Sequence, residues 1–192
     1  MTPLTQLQVF NAMHASPNAR LELSAHLGDG LAAALWSNRD DARDYQAPSH
    51  HTLSCYLSGG TGTFRREQPF AKGAPDRLCV MPAGHESAWI INGEVQLAHL
   101  YIEQERFALG AVTLLDREPR SLQLTEATFL EDAEQARKSV DAENRIGPSQ
   151  DGAVAHQRNQ PLGFIVRELH AAVGQAVDVW RDGAEVGFTA AV

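Results

Sequence analysis

The sequence lacks any run of about 18 or more consecutive apolar residues, the length that a membrane-spanning helix requires. Residues 1–20, MTPLTQLQVFNAMHASPNAR, have neither a basic start nor a continuous apolar segment, so we expect no secretory signal. These two absences predict a cytoplasmic protein that has no membrane partner.

Lysine is nearly absent, with only Lys72 and Lys138 in 192 residues, and the formal net charge is −8. Surfaces that bind nucleic acids usually show a basic patch or stripe, whereas the basic residues of this chain are scattered. The charge balance therefore argues against a chain that grips a phosphate backbone by itself.

Cysteine is also scarce, since Cys55 and Cys79 are the only two and no Cys-x-x-Cys pair occurs. This spacing excludes a redox or zinc-knuckle signature. Each cysteine sits inside an apolar, strand-like run, TLSCYL and RLCVMP. We predict two buried residues that stay reduced.

The usual catalytic signatures are missing as well. The sequence has no Gly-x-Ser-x-Gly elbow, no His-Glu-x-x-His and no phosphate-binding glycine loop with a lysine. Ser54 and Ser87 have no evident base beside them in the sequence. We therefore assign no catalytic residue and expect a protein that is not an enzyme.

What the sequence does contain, from about residue 20 to 104, is β-strand texture. Short apolar runs are separated by turn residues at Gly28–Gly30, at Gly59–Gly62 and at Asn92–Gly93. Gly-Asp-Gly and Asn-Gly are typical of β-hairpins, and we place a hairpin turn at each. Closely spaced short strands favour a sandwich or a barrel.

After Glu103 the pattern changes. QERFALGAVTLLDREP predicts a helix that ends before Pro119, SLQLTEATFL a last strand, and the polar stretch from Asp132 a further helix. A final apolar stripe has helical spacing: Leu162, Ile165, Val166, Leu169, Val173, Ala176, Val177 and Trp180. We divide the chain into an N-terminal arm (1–19), a barrel with an attached helix (20–130) and a helical region (131–192) with a linker near 144–161.

Several amphipathic side chains lie on the predicted strands. Any one of them alone could be an ordinary core residue whose polar atom has a hydrogen-bond partner. Together, pointing inward, they would line a half-polar cavity suited to a small molecule. The candidate ligand-binding residues, in the barrel interior or at its mouth, are His51, Tyr56, His85, Trp89, His99 and Tyr101.

A metal centre is the alternative use of the histidines. On a barrel strand, His-x-His places two ligands on one face because side chains alternate. Here His50 and His51 are adjacent, so at most one of them faces the interior. If a metal were bound, its ligands would be His51, His85 and His99. We favour no metal and no other cofactor, with His85 at a barrel corner shaped by Pro82 and Gly84.

Three stretches resemble the N-terminal sensor domain of AraC-type bacterial transcription regulators: HTLSCYLSGG (51–60), PAGHESAW (82–89) and AHLYI (98–102). LCVMPAGH is also similar to the second motif of the cupin superfamily. The resemblance implies a mainly β, cupin-like barrel (a double-stranded β-helix or jelly roll) followed by C-terminal helices. It further implies that the barrel senses a small-molecule effector and that the helices form a homodimer.

In two respects the chain departs from these families. Metal-binding cupins use His-x-His with a downstream Glu, which this sequence lacks. AraC-type regulators carry two helix-turn-helix units, but residues 131–192 are not basic and show no tandem pattern of that kind. We expect DNA contact only through a helix-turn-helix region that is absent from this chain.

Two hypotheses follow. The first is an effector-sensing and dimerisation domain of an AraC-type regulator whose DNA-binding part is missing or truncated. The alternative is a small metal-dependent cupin enzyme that uses His51, His85 and His99. A third possibility also stays open, in which this chain is a structural partner that dimerises with a full-length regulator and modulates it.

Overall fold

The computed structural model describes residues 3–115, 118–121 and 124–131. Two helices, α1 (Gln8–His14) and α2 (Gln104–Leu115), accompany seven strands. The strands are β1 (Ala19–Gly28), β2 (Leu31–Gln46), β3 (His50–Gly59), β4 (Thr63–Arg65), β5 (Leu78–Met81), β6 (Glu86–Glu103) and β7 (Ala127–Leu130). The predicted mainly β, antiparallel class is confirmed.

Three features predicted from the sequence lie in residues that the structure does not describe. The polar stretch from Asp132, the linker near 144–161 and the apolar stripe from Leu162 to Trp180 lie outside the described residues. The homodimer through those helices therefore stays a prediction. Among the helices within residues 3–131 that are described, none is long and apolar enough to cross a membrane.

The strands form one sheet in the order β1-β2-β6-β3-β5-β7, with β4 paired to β6. Strand β6 pairs with β2 along both of its halves, with β4 through residues 89–91 and with β3 through residues 95–103. The long pair of β2 and β6 therefore connects the part of the sheet that contains β4 to the part that contains β3. Side chains from both parts face one interior.

A bulge interrupts the long β2–β6 pair at the site of a predicted turn. Asn92 and Gly93 lie opposite the single residue Asp40, and β6 continues through them from Glu86 to Glu103. Gly93 has a φ of 78°, and its N–H donates a hydrogen bond to the Asp40 carboxylate at 2.7 Å. The predicted hairpin turn is therefore wrong, because the glycine supplies positive φ to a bulge instead of to a reversal. At Gly28–Gly30 the predicted hairpin is present between β1 and β2.

The main core fills the inner side of the sheet, and we call it the interior cluster. Alternation along β6 directs Val95, Leu97 and Tyr101 into it, as predicted for one strand face. Its buried members are Leu7, Val9, Phe10, Met13, Ala32, Ala34, Trp36, Tyr45, Tyr56, Cys79, Met81, Trp89, Ile91, Val95, Leu97, Tyr101 and Phe129.

Helix α1 packs into this interior cluster from the N-terminal arm. Val9, Phe10 and Met13 are buried there. The Phe10 ring meets Trp36 and Tyr101 edge to face, with ring centroids 5.2 Å and 6.0 Å apart. The arm thus covers part of the interior, and its removal would expose Trp36 and Tyr101.

A second, outer cluster lies on the opposite face of the same sheet. Leu53, Val80 and Leu100 are among its buried residues, and Phe107 of α2 packs against it. The predicted helix after Glu103 is therefore present as α2, and it covers the outer face and not the interior. The predicted last strand is present as β7.

Residues 124–131, which we call the strap, reach both clusters. Leu124, Ala127 and Leu130 pack on the outer cluster, whereas the Phe129 ring enters the interior cluster. Phe129 has a φ of 55°, a conformation that bulky side chains rarely adopt. The strap therefore carries local backbone strain at the residue that it inserts into the interior.

Candidate functional site

The interior cluster encloses a cavity of about 20 Å³. A single ordered water needs roughly 10–15 Å³ on this measure, so the cavity admits one water molecule and no metabolite. Its walls combine apolar side chains with hydroxyl and imidazole groups. They are Met13, Tyr45, Ser54, Tyr56, Thr63, Met81, Trp89, Ile91, Leu97 and His99.

A buried hydrogen-bond chain runs beside this cavity. The Trp36 indole Nε1–H donates to the Tyr101 hydroxyl at 3.2 Å. His99 Nδ1 lies 3.1 Å from the same hydroxyl. Because an indole N–H only donates, the Tyr101 hydrogen is available to His99 Nδ1, which then accepts. This direction requires a neutral His99.

Desolvation sets the charge state of these groups. Burial lowers the pKa of His99 to about 3, with a smaller contribution from nearby His50. Burial also raises the pKa of Tyr56 and Tyr101 well above 10. The site is therefore uncharged at neutral pH, which suits hydrogen bonding to a polar, uncharged part of a small molecule.

His50 is an interior residue that belongs to neither the predicted ligand-binding set nor the alternative metal set. It is 1% exposed, and its ring meets Tyr101 edge to face at 5.7 Å. Nδ1 lies 3.1 Å from Oε1 of Gln8 on α1, an oxygen that accepts, so Nδ1 carries the proton. Nε2 is buried without a hydrogen-bond partner, and burial lowers the His50 pKa to about 4.

His51, the residue predicted to face the interior, lies on the other face of β3, and its placement has to be corrected. Its ring packs against Phe107 of α2 with centroids 4.7 Å apart and the planes tilted by 52°, and its Nδ1 accepts a hydrogen bond from the Ala83 N–H at 2.9 Å. The signal was present in the sequence: His51 and Tyr56 are five positions apart, so strand alternation puts them on opposite faces. The same count places His50 with Tyr56.

His85 sits at the predicted corner between β5 and β6, half-buried beside the interior cluster. Its Nδ1–H donates to the Pro82 carbonyl at 2.7 Å, and its Nε2 accepts from the Ser87 hydroxyl at 2.9 Å. Ser87 in turn accepts from the Trp89 indole N–H at 2.9 Å. Burial is the largest influence on His85 and lowers its pKa, which fits this neutral relay.

The alternative metal set is not brought together. His99 lies in the interior, His51 on the outer face and His85 at the corner. Within residues 3–131, as far as they are described, no three His, Cys, Asp or Glu side chains form a group that could hold a metal ion. The geometry therefore gives the enzyme alternative no support.

Arg65 of β4 is a charged residue that is only 8% exposed. It pairs with Trp89 across β4 and β6, and its guanidinium carbon lies 5.9 Å from the Trp89 ring centroid. Its Nη1 contacts the Glu126 carboxylate of the strap, and its Nη2 donates to the Glu86 carbonyl at 3.2 Å. Neighbouring Arg66 is exposed.

A larger groove of about 470 Å³ lies on the polar outer surface across β1, β2, β6 and β3. Its arginines are already paired, Arg20 with Glu22 at 2.6 Å and Arg39 with Glu94 at 3.2 Å. It contains none of the predicted ligand residues. The interior, with Tyr56, Trp89, His99 and Tyr101 of the predicted set, remains the candidate site.

Comparisons with known proteins find matching solved structures but no family. No protein-family model matches it, and no curated protein does. Solved structures that match include EutQ from Clostridium difficile (7% identity, TM-score 0.36, covering 47% of this chain and 73% of that one). Others are a cupin superfamily protein from Desulfitobacterium hafniense (16%, 0.38, 45% and 79%) and the Cnp3 cupin domain from Schizosaccharomyces pombe (13%, 0.38, 44% and 64%). The structural neighbours are thus cupin-superfamily proteins, at a level of likeness that says nothing of function.

Proposed function

We propose that this chain is a small-molecule-binding domain that holds its ligand in the barrel interior and acts in the cytoplasm. One observation carries the proposal. Polar groups converge on a small cavity in the interior cluster. Ser54, Thr63 and His99 line it, and the Thr63 hydroxyl is buried without a hydrogen-bond partner. Such groups cost stability unless something pairs with them.

The cavity in this structure is too small for a metabolite, so binding requires that a covering segment move. Two segments beyond strands β1 to β6 reach the interior: α1, through Phe10 and Met13, and the strap, through Phe129 of β7. A ligand that displaces either segment would couple occupancy of the interior to the position of that segment. This is the differential affinity for two states that a sensor requires.

The finer proposal is an effector-sensing and dimerisation domain related to AraC-type transcription regulators. The resemblance of residues 51–60, 82–89 and 98–102 supports it, together with a mainly β sheet followed by α2. In this proposal the domain binds and does not transform its ligand. It reaches DNA only through a helix-turn-helix region that its own sequence does not show.

A screen of small polar molecules by thermal shift, followed by titration of each hit, tests the proposal. Ser54→Val fills the cavity with two methyl groups on a strand that tolerates β-branched residues. Ser58→Val, on the exposed end of the same strand, is the matched control. We expect Ser54→Val to weaken binding of a genuine hit at least roughly tenfold and Ser58→Val to leave it unchanged. Hits that bind both variants equally, or a screen without hits, would refute interior binding.

A further inference from the structure

The strap presents a carboxylate and an aromatic ring to one end of the interior. The Glu126 carboxylate contacts Nη1 of Arg65, and the Phe129 ring packs edge to face on Tyr56 at 5.6 Å and on Trp89 at 5.9 Å. Tyr56 and Trp89 also line the central cavity. The strap therefore fills space that is continuous with the candidate site.

Arg65 is an unusual residue for this position. It lies opposite Trp89 on the inward face, with a side chain that is 10% exposed. Its Nε is buried without a hydrogen-bond partner, and a carboxylate oxygen of Glu67 lies 3.6 Å from that atom. A buried guanidinium needs an anion to offset its lost hydration. Glu126 supplies that anion through a different nitrogen.

The β pairing of the strap is sparse, and the Arg77 side chain supplements it by donating to the Phe129 carbonyl at 3.2 Å and pairing with Glu131 at 2.9 Å. The Phe129 N–H donates to the Cys79 thiol sulfur at 3.4 Å, a poorer acceptor than a carbonyl oxygen. Only two residue pairs, Leu78 with Leu130 and Val80 with Ala127, join β7 to β5, and a register shift separates them. With the positive φ of Phe129, these features describe an occupant that another molecule can replace.

We propose that Arg65, Trp89 and Tyr56 form a subsite for a small carboxylic acid that carries an aromatic ring, and that Glu126 and Phe129 occupy this subsite in the absence of such an acid. The acid would place its carboxylate on Arg65 and its ring between Tyr56 and Trp89. The inference rests on the proposed function, because it names the class of molecule that enters the same interior.

Charge balance favours a monoanion over a phosphate. Arg65 already faces two carboxylates, those of Glu126 and Glu67. Exchange of Glu126 for one carboxylate leaves the net charge around Arg65 unchanged. A dianion would add repulsion from Glu67, and the planar guanidinium fork matches a carboxylate well.

Calorimetric titration of the full chain with phenylacetate and with phenylacetamide tests the subsite, because the two probes differ mainly in charge. Glu126→Gln removes the competing carboxylate and keeps the side-chain shape. Glu131→Gln makes the same change on the same strap at a carboxylate that pairs with Arg77 instead. We expect Glu126→Gln to tighten phenylacetate binding about tenfold, with phenylacetamide unchanged and Glu131→Gln like the parent chain.

Arg65→Gln, added to Glu126→Gln, should abolish the preference for phenylacetate over phenylacetamide. Arg65→Lys is the second variant, for use if Arg65→Gln does not fold, because it keeps a positive charge beside Glu67. It should reduce the preference for phenylacetate over phenylacetamide without abolishing it. Equal binding of the acid and the amide to Glu126→Gln would overturn the carboxylate subsite and leave interior binding intact. If neither probe binds any variant while a screening hit still responds to Ser54→Val, the subsite falls alone.

Discussion

The indole N–H of Trp36 donates to the hydroxyl of Tyr101 across β2 and β6, at 3.2 Å in the middle of the interior cluster. Tyr101→Phe removes this acceptor and leaves the Trp36 N–H and His99 Nδ1 buried without a partner. We expect the free energy of unfolding to fall by about 1–3 kcal/mol in urea denaturation.

Tyr45→Phe is the matched control for that experiment. Tyr45 is also buried and lines the same cavity, but among the described residues its hydroxyl takes no part in the Trp36–Tyr101–His99 chain. A loss for Tyr101→Phe no greater than the loss for Tyr45→Phe would show that the chain contributes no net stability.

Stability is expected to depend on pH through three buried histidines. Burial lowers the pKa of His99 to about 3 and those of His50 and His51 to about 4, against about 6.5 in an unfolded chain. The unfolded chain therefore binds protons that the folded chain does not, and stability is fully present above about pH 6.5 and falls towards pH 4. For His99→Gln, the free energy of unfolding should fall less steeply in this window, by up to about 1.4 kcal/mol per pH unit.

His26→Gln provides the reference for the pH series, because His26 is exposed on β1. Its profile should follow that of the parent chain. If His99→Gln shows the same slope as His26→Gln between pH 6.5 and 4, the buried neutral state of His99 is not what the structure indicates.

Two glycines are expected to respond differently to a methyl group. A Cβ on Gly62 would lie 1.9 Å from the backbone oxygen of Asn92, whereas a Cβ on Gly84 would meet no atom within 4 Å although its φ is 79°. Gly84→Ala should cost about 1–2 kcal/mol for the left-handed backbone, and Gly62→Ala more, because backbone must shift. Thermal unfolding would check the order, and the reverse order would contradict the close approach of the β3–β4 turn to the bulge.

The sequence predicts a homodimer through the apolar stripe of residues 162–180. Leu169 and Val173 are one helical turn apart in that stripe. Sedimentation equilibrium should show a dimer for the parent chain and a monomer for Leu169→Asp, with His170→Asp, off the stripe, still dimeric. A monomeric parent chain, or a dimer unaffected by Leu169→Asp, would remove the stripe from the interface.

Local patterns were enough to predict much of the β architecture. Alternation along β6 and the turn at Gly28–Gly30 appear as predicted, because they depend on neighbouring residues. The Asn92–Gly93 turn failed because positive φ serves a bulge as well as a hairpin, and only the pairing of β6 with β2 distinguishes the two uses.

The site shows a similar division. Tyr56, Trp89, His99 and Tyr101 lie in the interior as the strand pattern indicates. His50 was within reach of the same reasoning, since it shares the face of Tyr56. Arg65 was not, because its ion-pair partner Glu126 lies 61 positions away and arrives through the strap. Long-range partners of this kind decide whether a charged residue is buried, and no local pattern encodes them.

Interior binding is tested most directly by the indole N–H signals of Trp36 and Trp89 in a ¹H–¹⁵N spectrum, assigned with Trp36→Phe and Trp89→Phe. Both indoles are buried, and Trp89 lines the cavity. A compound that stabilises the chain should shift the Trp89 indole signal in proportion to the fraction of chain that has bound it. At the same compound concentration, the shift should be much smaller in Ser54→Val. A stabilising compound that leaves both indole signals in place at saturation would show that the interior is a core and not a binding site.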